Sequence, residues 1–106
     1  PSQRMELMYD YTGGIVEAAA GRDKGGVFCV VGVDQERSML LLADGKRRKV
    51  ANPKVKKLGH VLPLTDMEHP FDHPTIQGLK RGTPLSDRAL RRALAAFKEG
   101  NTLGER

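Results

Sequence analysis

Short apolar segments separated by turns dominate the first half of the chain, and they constrain its fold more than any other feature. These segments are rich in β-branched and aliphatic residues, which favour strands. The dipeptide Asp44-Gly45 predicts a tight hairpin turn, because glycine accepts the positive φ that type I′ turns require. Closely spaced short strands favour a small barrel or curled sheet. The five predicted strands cover residues 14–20, 27–33, 39–43, 46–50 and 58–62.

The predicted core of this unit is small. A chain of 106 residues supports one compact domain with extensions rather than two full-sized domains. Cys29 is the only cysteine and lies in the middle of a predicted strand, so we interpret it as a small core residue without an internal disulfide partner. The predicted core consists of Ile15, Val27 or Phe28, Val30, Val31, Val33, Leu40, Leu42, Val50 and Leu58.

A dense run of positive charge, the basic tract (residues 46–57), follows the predicted turn. Seven of its twelve residues are cationic and none is acidic, and the whole chain has a net charge of +5. Such a run repels itself unless an anion lies nearby, and a nucleic-acid backbone is the commonest polyanion. A solvated surface strand is the alternative interpretation. The chain has no Trp and only five other aromatic residues, two Tyr and three Phe, which favours phosphate contacts over base stacking.

A second candidate contact is the glycine-rich loop (residues 21–26), which lies between the first two predicted strands. Its three glycines permit a tight exposed turn and predict backbone N–H groups that are open to a phosphate. Arg22 and Lys24 add charge, and Asp23 is expected to hydrogen-bond the backbone of its own turn. The loop is not a P-loop, because a strand rather than a helix follows it. A simple turn without a ligand remains the alternative.

The second half of the chain differs in character. Residues 63–84 contain four prolines and few apolar residues, so an irregular linker is predicted there. A helix is predicted over residues 86–98, with Ser86 as its N-cap. Leu90, Leu94 and Phe97 would form one apolar stripe at helical spacing, with Arg88, Arg91 and Arg92 on the opposite side. We expect the stripe to dock on the β-rich unit. The alternatives are a second cationic surface on the arginine side and an exposed stripe that binds a partner protein.

The residues around the glycine-rich loop resemble the KOW motif, in which a loop of the G-[RK]-D-K-G type lies between β-strands. The matching residues are Gly14-Ile15-Val16, then Ala20 to Gly25, then the apolar strand ending at Val33. The continuation is similar to KOW-bearing large-subunit ribosomal proteins and to small bacterial KOW-domain RNA-binding proteins. It comprises Leu42 to Lys49, Asn52-Pro53-Lys54 and Lys57 to His60. The resemblance covers about residues 12 to 62 and leaves the rest of the chain unmatched.

The resemblance implies an SH3-like β-barrel that binds RNA. The expected fold class is therefore mainly β, a small SH3-like barrel of the KOW type with a C-terminal α-helical extension. The expected function is an RNA-binding protein of the translation apparatus that contacts structured RNA, expected to be ribosomal, through backbone phosphates. Ribosomal or other translation proteins are further expected partners. The alternative is a protein-interaction adaptor of transcription or translation. The expected RNA-binding residues are Gly21, Arg22, Lys24, Gly25, Lys46, Arg47, Arg48, Lys49, Lys54, Lys56 and Lys57.

The expected segments are an N-terminal extension (1–12), the barrel (13–62), the linker (63–84) and the C-terminal helix and tail (85–106). Residues 1–4, ahead of Met5, could be left from cloning and are excluded from the fold prediction. The absence of a signal peptide and of a long apolar run predicts a cytoplasmic protein that does not enter a membrane.

Enzymatic and metal-dependent functions find little support in the sequence. Residues 66–73, together with His60, contain histidines and carboxylates, but this segment is proline-rich and its spacing fits no zinc motif. We therefore expect no metal and no cofactor. No arrangement of nucleophile and base is recognisable, so we do not expect an enzyme.

Overall fold

The computed structural model describes the backbone of residues 11–66 and 68–104, with side chains up to residue 100 of that range. Its elements are β1 (Ile15–Ala18), β2 (Val27–Asp34), β3 (Met39–Ala43), β4 (Lys54–Lys57), a 3-10 turn (Leu58–His60), β5 (Val61–Pro63), α1 (Pro74–Lys80) and α2 (Asp87–Gly104). The expectations for residues 1–10, including the cloning remnant, for Met67 and for residues 105–106 lie outside the described residues.

The strands form one antiparallel sheet in the order β4-β3-β2-β1-β5. The first three predicted strands are confirmed, with differences at their ends. A bulge at Val31, between the pairs Val30–Leu42 and Gly32–Leu41, bends β2. β5 returns to pair with β1, whereas β4 pairs only with β3, so β4 and β5 are the two edges. In the described part of the chain the sheet is therefore not closed into a barrel.

The fourth strand lies later in the chain than predicted. The prediction of a strand at 46–50 is wrong, because these residues form a loop and β4 begins only at Lys54. Asp44 causes the difference: its Oδ1 accepts hydrogen bonds from the backbone N–H groups of Lys46 and Arg48, each at 2.9 Å. An aspartate that binds the backbone after it curls the chain and competes with strand pairing. The strand predicted at 58–62 is the 3-10 turn followed by β5.

Apolar residues cover the sheet on both faces. The first face buries Val16, Ala18, Phe28, Val30, Leu40, Leu42 and Val61. The second face buries Ile15, Cys29 and Ala43 beneath Ile76, Leu90 and Leu94 of the helices. The predicted core merged the two faces, and five of its members are only partly buried: Val27, Val31, Val33, Val50 and Leu58. A strand buried on both sides reads as a continuous apolar run, so β2 carries no alternation that would separate the faces.

Both helices contribute to the second face. Leu90 and Leu94 are buried there and Phe97 packs beside them, so the predicted docking of the α2 stripe is confirmed. α2 continues past its predicted end to Gly104. α1 lies within the stretch that was predicted to be irregular. Its Pro74 occupies the first helical turn, where a missing N–H costs nothing, and His73 caps the helix by accepting the N–H of Thr75. None of the described helices is long and apolar enough to cross a membrane.

Cys29 is fully buried in the second face, and burial raises the pKa of its thiol to about 12. The thiolate is the reactive form of cysteine, so a raised pKa and a closed environment both suppress reaction. We expect the native protein to leave an aromatic disulfide reagent unreacted at mildly alkaline pH, and the urea-unfolded protein to react at once. Absorbance of the released thiol measures this. Immediate reaction of the native protein would contradict the burial.

Candidate nucleic-acid interface

The glycine-rich loop joins β1 to β2 as a closely hydrogen-bonded turn. Gly21 and Gly25 have φ values of 83° and 89°, in the left-handed region that favours glycine. The N–H groups of Lys24, Gly25 and Gly26 are all donated to backbone carbonyl oxygens of this hairpin. The prediction that the loop offers open N–H groups to a phosphate is therefore wrong for these three residues. A polyanion would meet the side chains of the loop rather than its amides.

Asp23 links the glycine-rich loop to the basic tract. Its carboxylate is only 5% exposed and accepts a hydrogen bond from Nη2 of Arg48 at 2.8 Å. This bond lowers the pKa of Asp23, against the opposing effect of burial, and the nearby positive charges of Lys54 and Lys56 add to the lowering. The expectation that Asp23 bonds its own turn is thus corrected for the side chain, which reaches across to the tract. The two segments that the sequence singles out are held side by side.

Lys56 and Arg48 have structural roles rather than free cationic groups. Lys56 is 8% exposed, and its Nζ donates to the carbonyl oxygen of Ala20 at 2.6 Å. Arg48 is 32% exposed in its side chain, and its Nε is buried without a hydrogen-bond partner in the described part of the chain. Binding an outside phosphate would require either side chain to give up its present partner. We therefore remove both from the expected contact surface.

The loop from Asp44 to Val50 is fixed by α2. Gly45 has a φ of 78°, and its carbonyl oxygen accepts a hydrogen bond from Nη1 of Arg91 at 2.7 Å. The N–H of Val50 donates to Oδ1 of Asp87, also at 2.7 Å. A side chain at position 45 would overlap the carbonyl oxygen of Asp87. This part of the basic tract is therefore held against the helix at both of its ends.

Seven of the predicted cations remain exposed or half-exposed. The structure places no described carboxylate within ion-pair distance of any of them: Arg22, Lys24, Lys46, Arg47, Lys49, Lys54 and Lys57. The Asp23–Arg48 pair brings together the cations that flank its two members, from the glycine-rich loop and from the tract. Lys57 does not join this group. Side chains alternate along a strand, so Lys57 lies on the opposite face of β4 from Lys54 and Lys56.

Sequence reasoning missed the residues that hold this surface together. Asp23 and Asp87 appear in the sequence as a turn residue and a helix-start residue, yet their carboxylates bond Arg48 and the N–H of Val50. Arg91 was assigned to the solvent side of the helix, yet it bonds Gly45. Each of these contacts joins residues 25 to 46 positions apart, and nothing in local spacing signals them.

The histidine and carboxylate segment before α1 is built from local hydrogen bonds. Asp66 accepts the N–H groups of Glu68 and His69, and the bond from His69 lowers the pKa of the Asp66 carboxyl. His73 is occupied in capping α1. Among the described residues, no group of three or more His, Cys, Asp or Glu side chains is arranged to hold a metal ion.

No family model matches this chain, and no curated protein matches it.

Proposed function

We propose that this protein binds structured RNA through backbone phosphates, as a KOW-type member of the translation apparatus. The contact surface consists of the exposed cations of the glycine-rich loop and of the tract loop that precedes β4. The observation that carries the proposal is the Asp23–Arg48 bond, which brings these two cationic segments together on one surface. The target expected from the resemblance is ribosomal RNA.

The chemistry of this surface favours phosphate over base recognition. Phe28 is buried, and Phe71 and Phe97 are half-buried and pack edge to face with ring centroids 5.2 Å apart. Their rings are therefore engaged in the core and do not offer a stacking platform beside the cations. Lysine and arginine contacts to phosphates set position but carry little sequence information. We expect weak sequence preference and strong dependence on salt, since each neutralised phosphate releases counterions.

The topology is compatible with an SH3-like barrel with one open seam. A sheet in the order β4-β3-β2-β1-β5 places the last strand beside the first, as a curled meander requires. The bulge in β2 supplies local bending. A rigid curled sheet holds loops at fixed positions, which suits the shape recognition that dominates binding to paired RNA.

The adaptor alternative loses the surface on which it depended. Leu90 and Leu94 of α2 are buried against this chain's own sheet, so the apolar stripe is not available to a partner protein. An exposed apolar patch would have been the sign of such a partner. The RNA-binding proposal is therefore the one we test.

Removing two exposed tract cations should weaken RNA binding without unfolding the domain. For the double variant Lys46→Gln/Arg47→Gln, we expect affinity for a short RNA duplex to fall about tenfold at low salt, and the slope of log K against log salt to become shallower by about 1 to 2. Fluorescence anisotropy over a series of salt concentrations measures both. Arg48 is left intact in this design, because reversing its charge would break the bond to Asp23.

The matched control is Arg37→Gln/Arg81→Gln, which removes the same charge at two exposed positions. Arg37 lies in the turn between β2 and β3, and Arg81 follows α1. We expect this control to bind almost as the native protein does. Equal losses in both double variants would mean that net charge alone governs binding, and would refute the proposed surface. Crosslinking in cells followed by RNA sequencing tests the expected ribosomal target.

A further inference from the structure

An open notch between the two helices presents hydrogen-bond donors on several sides. It has a volume of about 560 Å³, in the size range of sites that hold small ligands. The notch lies apart from the Asp23–Arg48 pair. Its lining residues are His73, Thr75, Ser86, Arg88, Ala89 and Arg92.

Two arginines give the notch a positive charge that no described carboxylate balances. Arg88 and Arg92 are four residues apart on the exposed side of α2, where like charges repel each other. The neighbouring acids are engaged elsewhere: Asp87 accepts the N–H of Val50, and Asp72 accepts a hydrogen bond from Gln77. An anion between the two guanidinium groups would relieve this repulsion.

The neutral side chains of the notch also offer donors. Nδ1 of His73 accepts the N–H of Thr75 at 3.1 Å, so the ring proton lies on Nε2 and can be donated outward. Oγ of Ser86 accepts the N–H of Ala89 at 3.1 Å, which leaves its hydroxyl hydrogen for an outside acceptor. The backbone amides of Thr75 and Ala89 are thus already bonded, and the donors that remain belong to side chains.

We propose that this notch is a phosphate-binding site, distinct from the RNA-contact surface proposed above. Guanidinium groups bind phosphate oxygens through paired N–H donors, and hydroxyl and imidazole donors can complete the shell around a tetrahedral oxyanion. The phosphate could belong to an RNA backbone or to a free phosphate compound. Arg91, next to both notch arginines on the helix, bonds Gly45 of the tract loop, so a bound RNA could extend from the tract to the notch.

The test compares the native protein with Arg88→Gln/Arg92→Gln, and with the charge-matched Arg37→Gln/Arg81→Gln control. Inorganic phosphate is titrated at constant ionic strength, with chloride as the balancing anion, and amide shifts are followed by NMR. We expect saturable shifts of the amides of Thr75, Ser86 and Ala89 in the native and control proteins. Affinity should fall at least fivefold in Arg88→Gln/Arg92→Gln, whose replaced side chains are exposed.

A second arm measures the salt slope of binding to the RNA duplex for the same proteins. A shallower slope in Arg88→Gln/Arg92→Gln assigns the phosphate to an RNA backbone, and saturable phosphate shifts with an unchanged slope assign it to a free compound. Both results support the site. No saturable shift together with an unchanged slope, or identical phosphate shifts in the notch variant, overturns it. The Lys46→Gln/Arg47→Gln variant reports separately on the tract, so failure of the notch is distinguishable from failure of the proposed function.

Discussion

Replacing Gly45 with alanine is expected to destabilise the domain by about 3 kcal/mol or more. Two effects add at this position. A φ of 78° costs a residue with a Cβ about 1 to 2 kcal/mol. The added Cβ would also overlap the carbonyl oxygen of Asp87 and would approach Cγ of Arg91 to 3.1 Å. Backbone of a docked helix cannot move aside cheaply, so we expect the helix and the tract loop to separate. Urea unfolding followed by circular dichroism measures the change.

Gly25→Ala is the matched control for this experiment. Gly25 has a similar φ of 89°, but no heavy atom lies within 4 Å of a Cβ built there. Only the conformational cost should remain, about 1 kcal/mol. If the two variants lose the same stability, the close approach between the tract loop and α2 contributes nothing, and our account of how α2 fixes that loop fails.

Replacing Asp23 with asparagine is expected to cost about 2 kcal/mol at neutral pH. Breaking a fully buried ion pair costs more, but Arg48 keeps 32% of its side chain exposed and can partly recover its hydration. The Arg48 Nε is already without a hydrogen-bond partner in the described structure, so the guanidinium depends strongly on this carboxylate. Loss of the bond should also let the glycine-rich loop move away from the tract, and RNA affinity should fall with stability.

The dependence of this loss on pH gives an independent check. Because the pKa of Asp23 is lowered in the folded protein, its ionised form stabilises the fold above the ordinary aspartate pKa of about 3.9. The stability difference between native protein and Asp23→Asn should therefore be constant near neutral pH, and should shrink as the pH falls below about 4. Asp34→Asn is the control, since the Asp34–Arg37 pair is surface-exposed and 3.7 Å long. A difference for Asp23→Asn that is insensitive to acid would contradict the ion pair.

Local patterns predicted the strands that pack along their whole length. β2 and β3 are apolar runs bounded by glycine or polar turns, and the α2 stripe repeats at helical spacing, so each was visible in the sequence. The fourth strand was misplaced because Asp44-Gly45 is also a good start for a loop that Asp44 closes on itself. Pro74 misled in the same way, since proline both ends and begins helices.

The candidate site divides along a similar line. Which residues carry positive charge was plain from the sequence, and most of them are exposed. Which cations are committed to the fold was not, because Arg48 and Lys56 find their partners at Asp23 and Ala20, far away in sequence. Like charges in a row look equivalent until the fold places an acceptor beside some of them.

The unpaired edge of the sheet gives the lysines of β4 a further consequence. β4 is an edge strand with Val55 41% exposed, and an edge with bare backbone groups can recruit a strand from another molecule. Lys54 and Lys57, which carry charge along this edge, discourage such self-association, as does Pro63 at the end of the opposite edge. Preparations in which these lysines are neutralised should therefore be checked for aggregates by light scattering at rising protein concentration.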